Sequence, residues 1–341
     1  MAKKAGWLLG AAGLLVVLFL LPAPETAAPA IRTHLAMGTV VTLKLYGVEE
    51  GAAGPLVDLA FAAIDRVDTL MSRHLEASEL SRINRLAGEQ VVATAPELIQ
   101  VLGRAQYFAG LSGGAFDVTV GAVSRLWDFP HAQVPPAADR LAAALPLVDY
   151  RQLQVQQDQV RFLRPGLYLD LGAVGKGFAA DQAVAALQQA GVACGLVDVS
   201  GNIRFWGHKP DGWPWRLGVK HPRRADQQLE VDDLGLPALA TSGDYEQYFE
   251  YRGERFHHLL DPATGYPAGR AVSATVWAET ATDADILSTT VFVLGPEAGL
   301  KLIAGLPRTE ALVFFEEGGQ LRHRVSAGLE GRFRFAAAPG D

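Results

Sequence analysis

The sequence predicts an α/β domain of the α+β kind, with mixed and largely antiparallel sheets. Three observations carry this expectation. In the first half, β-branched alternating runs are interspersed with amphipathic helical stretches. The second half is rich in short strand-like runs separated by turn residues. Between them, apolar residues alternate through Leu167, Leu169 and Leu171. A loop with Gly172, Gly175, Lys176 and Gly177 follows, and then Phe178, Ala179, Val184, Ala185 and Leu187 at helical spacing up to Gly191, a C′ residue. A strand, a glycine loop and a helix offer backbone N–H groups and a positive helix end, which suit a phosphate. Asp170 and Lys176 flank the turn, so the stretch points to a phosphate ester handled with a cation.

The chain has 341 residues, enough for a large core and one or two domains. Its net charge is −7 and it has no basic block, which argues against a nucleic-acid partner. The single cysteine, Cys194, lies in an apolar run and reads as a small buried hydrophobe. Residues 1–30 read as a targeting segment: Lys3 and Lys4, an apolar run from Trp7 to Leu21, then Pro22 and Pro24. The run fits either a cleaved signal or an uncleaved membrane anchor, with the bulk of the chain exported. Residues 31–341 are then the folded domain.

In chain order, Thr39 to Tyr46 reads as the first strand. Gly54-Pro55 opens an amphipathic helix carrying Leu56, Leu59, Ala63, Val67 and Leu70. Ser78 caps a short helix ending at Ile83-Asn84, and Pro96 begins another that runs to Leu111. Leu153 to Val160 and Arg161 to Leu171 read as a hairpin. With the helix behind the glycine loop and the strand Gly195 to Val199, they suggest a βαβ-like unit. Strands follow at 215–220, 228–234, 239–242, 248–252, 256–260 and 271–278. Thr282 caps a helix, Pro296 opens one more, and Ala311 to Phe315 with Leu321 to Val325 complete the sheet.

Asp285 and Thr289 are four residues apart and share a helix face, where a carboxylate and a hydroxyl can present hard oxygens to Mg²⁺. Asp283 faces elsewhere and favours the helix N-terminus. His257 and His258, in a strand, point to opposite faces, so one of them can touch a phosphate or carry a proton. Ala115-Phe116-Asp117 after a glycine pair is either a ligand clamp or a turn with a buried Phe and a capping Asp; by itself the turn is favoured. Gly175-x-Gly177-x-x-Ala180 with Asp198 on the next strand resembles a dinucleotide fingerprint, but antiparallel-looking strands surround it. The P-loop pattern fails, because Asp170 stands where its first glycine belongs and Gly177 where Ser or Thr belongs.

Eight motifs in order make the chain resemble the ApbE family of FAD:protein FMN transferases. They are Met37-Gly38-Thr39, Ser78 to Asn84, Gly114 to Asp117, Leu169 to Gly177, Ser200-Gly201-Asn202, Ala240 to Asp244, His258 to Gly265, and Ala284 to Thr289. The resemblance implies a single T-fold-like domain with FAD between two lobes. It implies an FAD site of Met37, Ala115, Phe116, Asp117, Asp170, Lys176 and Leu259. Position 74, aromatic in most of the family, is His74, whose imidazole can still stack. It implies a metal site of the Ala173 carbonyl, Asp285 and Thr289, with Ser288 peripheral. The implied partners are FAD and an acceptor protein with a modifiable Thr or Ser, a part of a membrane redox complex. In the implied reaction the acceptor hydroxyl attacks the FMN-side phosphorus of FAD and AMP leaves. Mg²⁺ neutralises the pyrophosphate, Lys176 holds phosphate charge, and His258 is the candidate for proton transfer. FAD hydrolysis with water as nucleophile, a flavin carrier without turnover, and an oxidoreductase using Gly175-x-Gly177 are the alternatives.

Overall fold

The computed structural model describes residues 28–129 and 131–337, so the targeting segment expected at the amino terminus lies, but for its last three residues, outside the described residues. The chain opens with β1 (Ala30–Ala36) and β2 (Thr39–Tyr46), joined by Met37 and Gly38, whose φ values of 54° and 69° make the turn that a tight hairpin requires. Only β2 was legible as a strand. Then come α1 (Glu50–Met71), α2 (Glu79–Leu86), β3 (Val92–Ala93), α3 (Pro96–Leu111), α4 (Gly121–Trp127) and α5 (Ala138–Ala144). The helix expected to open at Gly54-Pro55 starts earlier and takes Pro55 in its second turn. Ser78 caps α2 as expected, its hydroxyl accepting from the Ser81 N–H at 3.0 Å.

Next are β4 (Leu153–Gln156), β5 (Gln159–Phe162), α6 (Gly175–Gln189), β6 (Cys194–Val199), β7 (Asn202–Trp206), β8 (Leu217–Lys220), β9 (Gln227–Val231) and β10 (Ala238–Gly243). The chain ends with β11 (Tyr248–Tyr251), β12 (Glu254–His257), β13 (Ser273–Ala278), α7 (Ala281–Ala304), β14 (Glu310–Glu317), β15 (Gln320–Val325) and β16 (Phe333–Ala337). Gly295, at φ 78°, breaks α7, so Pro296 does open a second helical segment. Thr280 rather than Thr282 caps α7, accepting from the Asp283 N–H at 3.1 Å.

The main sheet has the order β1-β2-β6-β7-β10-β13-β14-β15, and every pairing in it is antiparallel. The expected βαβ-like unit is therefore absent. Leu167 to Leu171 is extended and buries Leu167, Leu169 and Leu171, as alternation demands, but it joins no sheet. The Asn84 side chain takes the place of a neighbouring strand. It donates to the Leu169 carbonyl at 3.0 Å and accepts from the Leu169 N–H at 2.7 Å. The Asp170 N–H reaches the Val118 carbonyl at 2.8 Å. The hairpin before it turns at Gln157-Asp158 and ends at Phe162, not at Leu171.

Helices α1, α6 and α7 cover one face of the sheet with Ile64, Val67, Phe178, Val184, Ile286 and Phe292. The small sheet β16-β9-β8 covers part of the other face through Val219, Leu229, Trp277 and Phe314. Fully burying one such side chain contributes about 1.5–3 kcal/mol, so the helices are held firmly to the sheet. A third cluster joins α4 to the β11–β12 hairpin. Trp127 stacks on Phe129 at 5.4 Å and on Phe256 at 5.8 Å, and its indole N–H donates to the Gly265 carbonyl at 2.9 Å. That cluster fixes where β12 delivers His257 and His258.

Candidate active site

The site is built from three elements. The first is α6 itself, with Lys176 in its first turn. The second is α7, whose Asp285 is 4% exposed and accepts the Gly177 N–H at 2.9 Å. Burial pushes the Asp285 carboxyl above its ordinary range, and the Lys176 charge and the Gly177 N–H act against that. The third is β10. Its Ser242 hydroxyl lies 2.9 Å from Ser288 Oγ and 3.1 Å from Thr289 Oγ1. The hydroxyls of Ser242, Ser288 and Thr289 thus lie together, Asp285 stands one turn before them on α7 with its carboxylate on the Gly177 N–H, and the Ser288 hydroxyl donates to the Asp285 main-chain carbonyl at 2.9 Å.

Lys176 is half-buried and makes no ion pair among the described residues. Its charge is felt at Asp285 and at His258. Asp170 is engaged elsewhere: it accepts from Ser124 at 2.7 Å, from the Gly172 N–H at 3.0 Å, and pairs with Arg73 at 3.3 Å. The carboxylate and the lysine that flank the glycine loop therefore do not pair with each other. Ala173 stands in the turn between them.

The two histidines separate as expected, but β12 ends at His257 and His258 lies just beyond it. His257 is 6% exposed, its Nε2 lies 3.1 Å from the Ala268 carbonyl, and its Nδ1 has no hydrogen-bond partner among the described residues. His258 is half-buried, with Nδ1 3.3 Å from the Gln247 carbonyl. Desolvation, and then the Lys176 charge, push its imidazole down to about 4, so it is neutral at neutral pH. With Nδ1 carrying the proton toward Gln247, Nε2 is the acceptor.

Asp117 behaves as the turn reading says. Its carboxylate accepts from the Thr119 N–H at 2.8 Å, the Thr119 hydroxyl at 2.6 Å and the Tyr150 N–H at 2.8 Å. Phe116 is buried. A cleft of about 380 Å³ opens along Gly114, Ala115 and Asp117, between Tyr150, Asp261 and Arg270. Lys176, Asp285 and Thr289 do not border it, but Val293, one turn beyond Thr289 on α7, forms part of its wall. Met37 donates its N–H to Asp68 at 3.0 Å, and Leu259 is buried. His74 is exposed and touches none of the other site residues through a hydrogen bond or ring contact among the described residues.

Sequence reasoning missed Arg73, Ser124, Asn84, Asp181 and the hydroxyl of Ser242. Asp181 carried a signal: it falls between the buried runs Phe178 to Ala180 and Ala183-Val184 of α6, where a partly buried acid needs a partner. The others are brought in from remote elements and leave no local pattern.

The family model described as the ApbE family matches residues 37–313. The FAD:protein FMN transferase of Treponema pallidum is 34% identical over 326 residues, covering 89% of this chain and 88% of its own length. That of Vibrio cholerae is 35% identical over 282 residues, covering 80% and 84%. Among solved structures, the apo flavinyl transferase ApbE of Pseudomonas stutzeri superposes with a TM-score of 0.79 at 30% identity, covering 89% of this chain and 96% of its own. The fold, the order of the motifs and the similarity across most of the chain agree, and the chain belongs to the ApbE family.

Proposed function

We propose that the protein is an FAD:protein FMN transferase. It moves FMN from FAD to a Thr or Ser hydroxyl of an acceptor protein and releases AMP. The observation that supports this reading is the joining of the α6 amino end, with Lys176, to the oxygen set on α7.

The acceptor oxygen attacks the FMN-side phosphorus and forms the new P–O bond. The pyrophosphate P–O bond breaks, AMP departs, and one proton leaves the hydroxyl. Lys176 holds phosphate charge, and the N–H groups at the start of α6 add donors. His258 Nε2 takes the hydroxyl proton as the P–O bond forms, since a base lowered to about 4 does not ionise a free hydroxyl. Met37, His74, Ala115, Phe116, Asp117, Asp170 and Leu259 line the FAD site in this reading.

The donor set fits Mg²⁺. No group of three or more His, Cys, Asp or Glu gathers among the described residues, so a soft or carboxylate-rich centre does not suit the site. One buried carboxylate with hydroxyl and carbonyl oxygens suits a hard cation that takes its other ligands from water and substrate phosphates. Asp285 and Thr289, with the Ala173 carbonyl and Ser288 beside them, would hold it. When bound, the cation neutralises the pyrophosphate and stabilises the leaving oxygen.

Residues 1–30 export the domain and either anchor it in the membrane or are cleaved. The acceptor is then a subunit of a membrane redox complex, met outside the cytoplasm where no ATP pool drives ester formation. The FAD pyrophosphate supplies that energy itself. Recovery of the native protein in the cytoplasmic fraction would defeat this part.

The chemical test is mass spectrometry of an acceptor peptide incubated with FAD and Mg²⁺, with AMP measured alongside. The expected result is an FMN adduct on Thr or Ser and one AMP per adduct. AMP with free FMN and an unmodified acceptor would make the protein an FAD pyrophosphatase. FAD binding with neither product would make it a carrier.

A further inference from the structure

The amino ends of α6 and α7 hold each other through two carboxylates that point in opposite directions. From α7, Asp285 accepts the Gly177 N–H of α6 at 2.9 Å. From α6, Asp181 accepts the Ala281 N–H at 3.0 Å, the Thr282 N–H at 2.8 Å and the Thr282 hydroxyl at 2.6 Å, all at the start of α7. A slide or rotation of either helix breaks both contacts at once. The helices come this close only because residue 177 is glycine: a Cβ there would run into the Ala281 carbonyl and lie 2.8 Å from the Asp285 Cβ.

Asp181 is not needed to cap α7 in the usual way. Thr280 already caps the Asp283 N–H, and Asp181 takes the two N–H groups before it. Arg204 of β7 stands 3.4 Å from Asp181 and donates to the Glu279 carbonyl at 2.6 Å, which ties the sheet to the same point. Arg104 of α3 forks onto Asp283 at 2.6 and 2.7 Å on the same turn of α7. A half-buried charge with this many donors is a costly feature for a helix that is already capped.

We propose that Asp181 is a positioning residue: through the start of α7 it sets the Asp285, Ser288 and Thr289 oxygens against the Lys176 turn of α6. It touches neither substrate nor cation. Its effect is on the spacing between the groups that hold phosphate and the groups that hold the metal. This rests on the transferase reading above.

The test compares wild type, Asp181→Asn and Thr282→Val as full chains, well below their unfolding temperatures. Measured are kcat and KM for FAD by AMP release, and binding of Mg²⁺ alone by calorimetry. Asp181→Asn keeps the shape and one acceptor. It is expected to weaken Mg²⁺ binding about tenfold, as loss of an outer-shell partner does. It should lower kcat by about tenfold or more while KM for FAD stays within about twofold. Thr282→Val, which removes one of three donors, should move both in the same direction by about threefold, and it decides the matter if Asp181→Asn does not fold. A lower melting temperature with kcat and Mg²⁺ affinity unchanged would overturn the proposal and leave Asp181 a stabilising contact. Wild type that binds Mg²⁺ more tightly than Asp181→Asn yet releases no AMP would overturn the transferase reading and leave Asp181 in its role. Wild type that releases AMP without binding Mg²⁺ would remove the metal, and the kcat comparison alone would then decide.

Discussion

Asp285→Ala is expected to abolish Mg²⁺-dependent turnover while the chain stays folded. Asp285 supplies the carboxylate of the proposed metal set, one turn before Ser288 and Thr289 on α7. Neutral hydroxyls hold Mg²⁺ poorly without it, and a cation that stabilises a leaving phosphate oxygen is worth several kcal/mol, so about a thousandfold loss in rate follows. The structural cost is smaller. Truncation leaves the Gly177 N–H without its acceptor, about 1–3 kcal/mol against a total stability of about 5–15 kcal/mol. Removal of a buried carboxylate whose burial is uphill offsets part of that. The measurement is AMP release across a Mg²⁺ titration, with the melting temperature followed in parallel. Wild-type rates at limiting Mg²⁺ would show that Asp285 is not a ligand. Asp285→Asn, which keeps an acceptor for Gly177, separates the lost charge from the lost contact.

How much of this was legible in the sequence depends on how far apart the cooperating residues lie. Local patterns read well: Ser78 as a cap, Pro96 at the start of α3, Gly191 after α6, and Asp285 with Thr289 on one face. Each is decided by neighbours within a turn. The stretch from Leu167 to Leu171 shows the limit. Its alternation is real and buries three leucines, but alternation reports which side chains face the core, not which backbone lies alongside. Here the partner is the Asn84 amide, 85 residues away, and no periodicity announces it. The same holds for Asp170. Closeness in sequence suggests Lys176 as its companion, yet its partners are Arg73 and Ser124 from other elements. The βαβ-like reading failed for a related reason. A helix between two extended stretches fits a parallel crossover, but it fits equally a helix that returns the chain to an antiparallel sheet. Only the pairing of β6 with β2 and β7 decides between them.

Gly177→Ala is expected to be the most damaging one-atom change in the site. Gly177 lies in the first turn of α6 at a helical φ, so an added methyl costs nothing in backbone strain and the whole effect is steric. The methyl would meet the Ala281 carbonyl, which is backbone and cannot rotate away, and the Asp285 Cβ at 2.8 Å. The start of α7 must then move off α6. That movement stretches the bond from the Gly177 N–H to Asp285 and the three bonds from α7 to Asp181 together. Overpacking against a rigid neighbour costs about 1–3 kcal/mol or more, and a displacement of about 1 Å between groups that must act together costs about a hundredfold in rate. Gly175→Ala, two residues earlier, is the contrast for stability. Its Cβ would lie 3.4 Å from the Met37 terminal methyl, the free end of a flexible side chain, so its melting temperature should fall by little. Thermal unfolding of both variants, with AMP release from Gly177→Ala, checks the argument. A Gly177→Ala protein with the stability and turnover of wild type would mean that the two helix ends are not held in register by this contact, and that Lys176 and Asp285 keep their spacing by some other route.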